Sequence, residues 1–360
     1  MEQALAPVPG GTGRYARELA AGLRTTAAPG DGVEAWTAWH RDISAARIPG
    51  LAPVRRFPLP RRPLIAAWER GAAWPLPRGV DVVHAPTLLA PTRVSVPLVV
   101  TVHDAVPWTH PETLTPRGVR WHRGMAERVA RRADAIVVPT RAVADELARH
   151  LRPEAPVEVV GLGVSGQLTP PPDGDARARE LGLPVGPFLL SLATLEPRKG
   201  LDVLIDALAQ PVAPAVPLLL VGQPGWGAVE PDVLAARAGL PAGRVRTLGH
   251  LSDADLAVVL ARATALVAPS RAEGFGLPVL EAMAAGTAVV SSDAPALAEV
   301  GGGATLLTPV GDAGALAEAL DRVVGDDALR SALEASGRRR AAHYSWTATA
   351  ARMWELYGRL

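Results

Sequence analysis

The sequence predicts an α/β protein built of two Rossmann-like, doubly wound parallel-sheet domains. Three observations carry that expectation. At 360 residues the chain is too long for one ordinary core, so two domains follow. From about residue 80, short β-branched runs alternate with amphipathic stretches of helical period, the pattern of parallel strands joined by crossover helices. Finally, QLTPPPDGD (167–175), rich in Pro, Gly and Asp, separates two such series and reads as a linker.

Taken in order, GGTGRYARELAAGL (10–23) reads as a glycine turn opening a helix, as after the first strand of a Rossmann unit. The nine residues before it hold Pro7 and Pro9 and no continuous apolar run, so the first strand is expected to be incomplete, with the natural start upstream of Met1. MEQALAPVPGG also lacks the basic region and apolar core of a signal peptide. VDVVHA (81–86) and PLVVTVH (97–103) are expected strands, 117–132 a helix, ADAIVVP (133–139) a strand, 141–151 a helix and VEVVGLG (157–163) a strand. The second series runs PFLLSLAT (187–194), a helix over 199–209, VPLLLVG (216–222), VRTLGH (245–250), a helix from Ser252, TALVAPS (264–270), a helix over 277–285 and TAVVSS (287–292). The stretch 312–360 is nearly all helical in pattern. That is longer than the second domain needs, so its end is expected to pack elsewhere. The expected organisation is an N-terminal domain over 1–166, a linker over 167–186, a C-terminal domain over 187–343 and a separate helix over 344–360.

Composition narrows the function classes. Apolar residues at 48% and charged residues at 20% describe an ordinary globular protein, and a formal charge of +1 supplies no field for nucleic acid. There is no cysteine, which excludes disulfides and thiolate chemistry. No apolar run is long enough to span a bilayer, and a cytoplasmic location is expected. Lys199, in LEPRKG (195–200), is the single lysine; the other 36 of the 37 basic residues are arginine. Ala, Gly, Pro and Arg are abundant and Asn is absent, so arginine has replaced lysine wherever a cation need only be positive. A compact ammonium is not equivalent to a planar fork at a tight site, which makes Lys199 a candidate. Its bland alternative is a chance survivor on a solvated face.

The stretch APSRAEGFGLPVLEAMAAGTAVVSS (268–292) has the strongest chemical signature. Glu273 and Glu281 bracket Gly274, Gly276 and Pro278, in the order strand, loop, helix. Glycines let a backbone approach a ligand closely, and the helix start offers unpaired N–H groups at a positive dipole end. The arrangement reads as a phosphate or diphosphate cradle flanked by two carboxylates, whose natural partners are sugar hydroxyls. Individually, Glu273 also fits a helix-start acid and Glu281 a solvated helix residue.

In this order and context the chain resembles the retaining glycosyltransferases of family 4, which have the glycosyltransferase B fold, two Rossmann-like domains facing across a cleft. The resemblance covers nearly the whole chain: GGTGRYARELAAGL, VVHAPT, VTVHDAVPWTHPE, VVPTRAVADEL, VGLGV, LATLEPRKGLDVLIDAL, LVG, LGHLSDADLAVVLARATALVAPSRAEGFGLPVLEAMAAG and the closing YSWTATAARMWELY. It implies that Glu273 contacts hydroxyls of the donor sugar and Glu281 the ribose of the nucleotide. It turns the amides of Phe275, Gly276 and Leu277, with Gly274 beside them, toward the diphosphate. Arg198 and Lys199 would meet that diphosphate from the opposite loop. Some relatives carry an arginine just after the strand, where this chain has Ala193 and Thr194, so the role passes to Arg198. His103 of VTVHD would sit near the anomeric centre, with Asp104 organising its loop and His84 a further candidate. Gly11, Thr12 and Gly13 would approach the diphosphate or acceptor, and His250 the base. The closing segment resembles the family's C-terminal helix, which crosses back onto the first domain.

What the resemblance implies is a metal-independent hexosyltransferase without a cofactor. It would move mannose from GDP-mannose to a saccharide or lipid-linked acceptor. No Asp-x-Asp pair stands in a donor-side loop. The arginines at 117, 120, 123, 128, 131 and 132 are read as a solvated face, with peripheral membrane contact as the alternative. Other readings are an epimerase or phosphorylase on the same fold, and a dinucleotide-dependent dehydrogenase. GGTGRY lacks the third glycine that the last of these requires.

Overall fold

The structure is a computed structural model and describes residues 1–225, 227 and 229–360. The chain divides into two compact units, Met1–Gly163 with Tyr344–Leu360, and Val164–His343.

The first unit begins with a short 3₁₀ turn, Glu2–Leu5, and helix α1 (Gly10–Thr26). Residues 1–9 form no strand, and the glycines at 10, 11 and 13 lie inside the first turns of α1 instead of in a turn before it. Strands β1 (Trp36–Trp39) and β2 (Arg55–Pro60) pair in parallel, and helix α2 (Arg61–Glu69) follows. None of these was visible in the sequence, because β1 and β2 are short and hold Trp and Pro where a buried strand would show β-branched runs. Next come β3 (Val83–Ala85), β4 (Leu98–Thr101), α3 (Val106–Thr109), α4 (Pro116–Ala130), β5 (Ala135–Val138), α5 (Arg141–His150) and β6 (Val157–Val159). Strands β3 to β6 form a parallel sheet in sequence order. Its central strands are buried on both faces, with Leu98, Val99, Val100 and Val138 at 0% exposure, as helix-covered parallel strands require.

In the second unit the elements are α6 (Gly174–Glu180), β7 (Leu189–Leu192), α7 (Leu201–Leu208), β8 (Leu218–Val221), α8 (Pro231–Arg237), β9 (Val245–Gly249), α9 (Asp253–Arg262), β10 (Ala265–Ala268), α10 (Leu277–Ala285), β11 (Ala288–Ser292), α11 (Pro295–Gly301), β12 (Leu306–Thr308), α12 (Ala313–Gly325) and α13 (Asp327–Ala341). The strand order is β12-β11-β10-β7-β8-β9, all parallel. The order reverses between β7 and β10, which are hydrogen-bonded neighbours. In an open α/β sheet such a reversal opens a crevice beyond the carboxyl ends of the two strands, and ligands bind there.

Two expectations need correction. The stretch 167–186 is not wholly linker: α6 lies within it and is tied to α9 by Arg177, whose Nη1 reaches Asp255 at 2.8 Å, and by a contact between Arg262 and Asp175. The helix expected over 199–209 starts at Leu201, because Pro197–Lys199 makes a 3₁₀ turn and Gly200, at φ +68°, breaks the path.

The closing helix α14 (Trp346–Tyr357) belongs to the first unit and lies against α1. Two glycines allow the approach: a Cβ on Gly163 would stand 2.1 Å from the Trp346 nitrogen, and one on Gly22 2.9 Å from its carbonyl oxygen. Thr349 Oγ1 donates to the Gly161 carbonyl at 2.7 Å, and Trp354 Nε1 to Leu23 at 3.1 Å.

Candidate active site

The loops after β7 and β10 bring together the residues at the switch point. After β7 the chain runs through Glu196, Pro197, Arg198 and Lys199 to Gly200; after β10 it runs through Ser270, Arg271 and Glu273 to Gly276. Lys199 Nζ donates to Glu273 Oε1 at 2.6 Å, and Arg198 Nη1 donates to Glu273 Oε2 at 2.9 Å. Ser270 Oγ donates to Glu273 Oε1 at 2.8 Å. Both carboxylate oxygens are therefore held, and the three side chains are only 11–17% exposed. Burial by itself would raise the Glu273 carboxyl, but the Lys199 ammonium and Arg198 guanidinium outweigh it and hold the pKa at about 2. For Lys199, burial and then the like charge of Arg198 lower the ammonium pKa against the pull of Glu273.

Arg198 and Lys199 are adjacent in sequence but not equivalent. The Arg198 fork is turned onto protein groups, with Nη2 on Glu196 at 2.7 Å and Nη1 also on the Ala272 carbonyl at 2.8 Å. Lys199 lines a cavity together with Ala193, Ser270, Glu273, Gly276 and Leu297, and Arg198 is not among its lining residues. A second arginine braces the same loops: Arg271 is bidentate to Asp202 at 2.8 and 2.6 Å, and donates to the Pro197 carbonyl at 3.0 Å. Arg271 carries no signal in the sequence beyond its place in SRAEGFG, since a bidentate partner 69 residues away has no local spacing.

Gly200 explains the last letter of LEPRKG. Its φ of +68° favours glycine, and a Cβ there would lie 2.2 Å from the Pro269 carbonyl oxygen, a backbone atom that cannot swing away. Replacing Gly200 by alanine is expected to cost at least about 3 kcal/mol, from left-handed strain plus the clash. Chemical denaturation would show it as a lower midpoint, and an unchanged midpoint would refute the packing argument.

Gly276 caps α10 at φ +93°, where a Cβ would lie 2.4 Å from Leu297 Cδ2. Pro278 follows in the first turn, and the N–H groups of Gly276 and Leu277 have no partner among the described residues. Helix α10 thus presents unpaired amides at its positive end, on the side where Lys199 and Glu273 lie. Phe275 and Leu277 bury their side chains at 5% and 8% exposure, so only their backbones can serve a ligand. Glu281 is 4% exposed, which removes the reading of a solvated helix residue. His250, just after β9, is exposed.

The candidates of the first unit are placed separately. Gly11 is exposed at the start of α1, and Thr12 Oγ1 donates to the Pro9 carbonyl at 3.3 Å. A Cβ on Gly13 would lie 2.4 Å from Pro9 Cβ, so packing alone accounts for that glycine. His103, two residues beyond β4, has Nε2 at 2.8 Å from the Pro86 carbonyl, and burial lowers its pKa. Asp104 Oδ1 accepts from the Val106 amide at 3.1 Å, just before α3, whose N-cap is Ala105. Of the arginines in 117–132, Arg123 donates to the Pro107 carbonyl and Arg128 to the carbonyls of Trp68 and Glu69, while Arg117, Arg120, Arg131 and Arg132 are exposed. No helix among the described residues is long and apolar enough to cross a membrane. The Asp-x-Asp stretches 173–175 and 253–255 lie at the starts of α6 and α9, where Arg177 and Arg262 hold three of their carboxylates.

Two Rossmann-like units with parallel sheets are the architecture of the glycosyltransferases of the B fold. The chain belongs to the group 1, family 4 glycosyltransferases. The Glycosyltransferase Family 4 profile matches residues 9–167, and that of glycosyl transferases group 1 matches residues 186–326. The O-antigen chain mannosyltransferase B of Escherichia coli is 32% identical over 309 residues, which are 82% of this chain and 79% of that protein. The MMP alpha-(1->4)-mannosyltransferase of Mycolicibacterium hassiacum is 34% identical over 306 residues, covering 77% and 70%. Among solved structures, a sucrose-phosphate synthase from Thermosynechococcus elongatus superposes with a TM-score of 0.79 at 25% identity, over 99% of this chain and 96% of that one.

Proposed function

We propose that this hexosyltransferase moves mannose from GDP-mannose to a saccharide or lipid-linked acceptor, with retention of configuration and without a bound metal or cofactor. The observation that carries the reading is the Lys199–Glu273–Arg198 cluster at the switch point between β7 and β10. When the bond from the anomeric carbon to the diphosphate breaks, negative charge grows on the departing phosphate oxygen. A fixed ammonium and fixed amide dipoles stabilise that charge without reorganising. Lys199 and the amides of Gly276 and Leu277 supply them here.

Arg198 takes a different part from the one first expected. Its donors are already directed at Glu273, Glu196 and Ala272, so it positions Glu273 and joins the two loops while Lys199 meets the diphosphate. Glu273 accepts hydrogen bonds from hydroxyls of the donor sugar, and Glu281 is assigned to the ribose. The acceptor hydroxyl attacks the anomeric carbon from the face the diphosphate leaves. The new glycosidic bond forms as the old one breaks, and the hydroxyl proton passes to the departing phosphate oxygen.

Support for mannose comes from the two relatives, both mannosyltransferases by name. Metal independence is supported by the cations that the chain itself provides. A thermal-shift screen of GDP-, UDP-, ADP- and dTDP-sugars tests the reading. GDP-mannose is expected to raise the melting temperature, and acceptor to trigger release of GDP. Stabilisation by a UDP-sugar alone would replace the donor. Sugar conversion without acceptor would favour an epimerase, and no stabilisation by any donor would overturn the reading.

A further inference from the structure

Four side chains of the first unit form one continuous hydrogen-bonded chain. Tyr15 Oη on α1 lies 2.8 Å from Thr101 Oγ1 at the end of β4. The same oxygen is 2.8 Å from His84 Nε2 on β3, and His84 Nδ1 is 2.5 Å from Tyr357 Oη at the end of α14. Neither tyrosine nor Thr101 was a candidate from the sequence, because the four positions span 342 places and no local spacing unites them.

The protons in this chain can be placed by counting. Burial, and then the neighbouring His103, hold the His84 pKa down at about 3, so its ring is neutral, with one N–H and one bare nitrogen. Tyr15 and Thr101 are each 1% exposed, and neither hydroxyl has a further partner among the described residues. A buried O–H left unused is costly, so both hydrogens must be spent inside the chain. One direction achieves this: Tyr15 donates to Thr101, Thr101 donates to His84 Nε2, and His84 Nδ1–H donates to Tyr357.

His103 is fixed in the opposite sense. Its Nε2 faces the Pro86 carbonyl, which can only accept, so Nε2 carries the hydrogen. With the ring neutral, Nδ1 is a bare acceptor and has no partner among the described residues. The ring stands edge-on to Tyr15, with centroids 4.7 Å apart at 84°. Tyr15 therefore touches His103 with its ring and the hydroxyl chain with its tip.

We propose that Tyr15 is a positioning residue for His103: the chain from Tyr15 through Thr101 and His84 to Tyr357 fixes the ring against which His103 is set, so that His103 Nδ1 meets a sugar hydroxyl as acceptor. The sugar in this statement rests on the function proposed above; the two opposite histidine tautomers do not.

Nitrogen-15 NMR of the full chain with labelled histidine reads the tautomers directly. His84 is expected as Nδ1–H and His103 as Nε2–H, and the reverse at either ring overturns the proposal. Tyr15→Phe keeps the ring and removes the anchor. It is expected to lower kcat about three- to tenfold, the scale of one hydrogen bond, with the donor KM within about twofold and the His103 ring-nitrogen signals shifted or broadened as its edge partner loses its anchor, while Nε2 keeps its hydrogen on the Pro86 carbonyl. Tyr357→Phe should act in the same direction and more weakly. An unchanged kcat and an unchanged His103 signal in Tyr15→Phe would overturn the assignment. If Tyr15→Phe does not fold, the wild-type spectrum and Tyr357→Phe decide the matter by the same criteria. Absence of transfer by the wild-type protein with every donor would count against the function and leave the spectrum to decide the tautomers.

Discussion

Replacing Lys199 by arginine is expected to lower kcat/KM by about 10²- to 10³-fold, the scale seen when one fixed charge-stabilising donor is lost. The substitution keeps the charge. It changes a compact ammonium, held 2.6 Å from one carboxylate oxygen, into a planar fork beside an arginine whose own fork already fills the neighbouring space. The fold should survive, because Glu273 retains Arg198 and Ser270 as partners. Steady-state kinetics with a melting curve on the same sample checks both halves. Near-normal turnover would mean that the single lysine is incidental.

The second large effect concerns Glu273. Its carboxylate is ionised at any working pH, with the pKa held at about 2, and it pairs with Lys199, the cation proposed to meet the donor diphosphate. On that proposal, donor binding shares Lys199 between carboxylate and phosphate. In Glu273→Gln the competitor is gone. The nucleoside diphosphate alone is expected to bind several-fold tighter, while kcat falls about 10²-fold because the sugar hydroxyls meet a neutral amide, with one acceptor oxygen, in place of a charged carboxylate with two. Stability should drop by about 1–3 kcal/mol, since two poorly solvated cations are left with fewer partners. Calorimetric titration with nucleoside diphosphate separates this from a purely structural role, which would weaken binding. A kcat left unchanged would make Glu273 a counter-ion only.

The site was more legible than the scaffold around it. Lys199, Glu273, Gly276 and Glu281 lie in two short stretches whose local chemistry is visible letter by letter: glycines at positive φ, a proline in the first helical turn, a carboxylate before it. The alternating series from residue 80 onward was equally plain, because a strand covered on both faces must be apolar throughout. Much less could be read over residues 1–80. There β1 and β2 are short and rich in Trp, Arg and Pro, so the pairing between them leaves no periodic trace. The Pro-rich stretch read as linker hid α6, since a polar helix held by ion pairs lacks an apolar stripe.

By itself the sequence determined two Rossmann-like domains, the main alternation of strands and helices from residue 80 onward and the two loops that meet at the switch point, because each depends on residues close together in the chain. Only the tertiary structure decided which side chains meet. It turned Arg198 onto Glu273 and away from the cavity, showed that Gly200 must clear the Pro269 carbonyl, and joined Tyr15, His84, Thr101 and Tyr357 across 342 positions. Those outcomes depend on where hydrogen-bond donors point and how near two backbones come, and both are set by packing between elements that are remote in sequence.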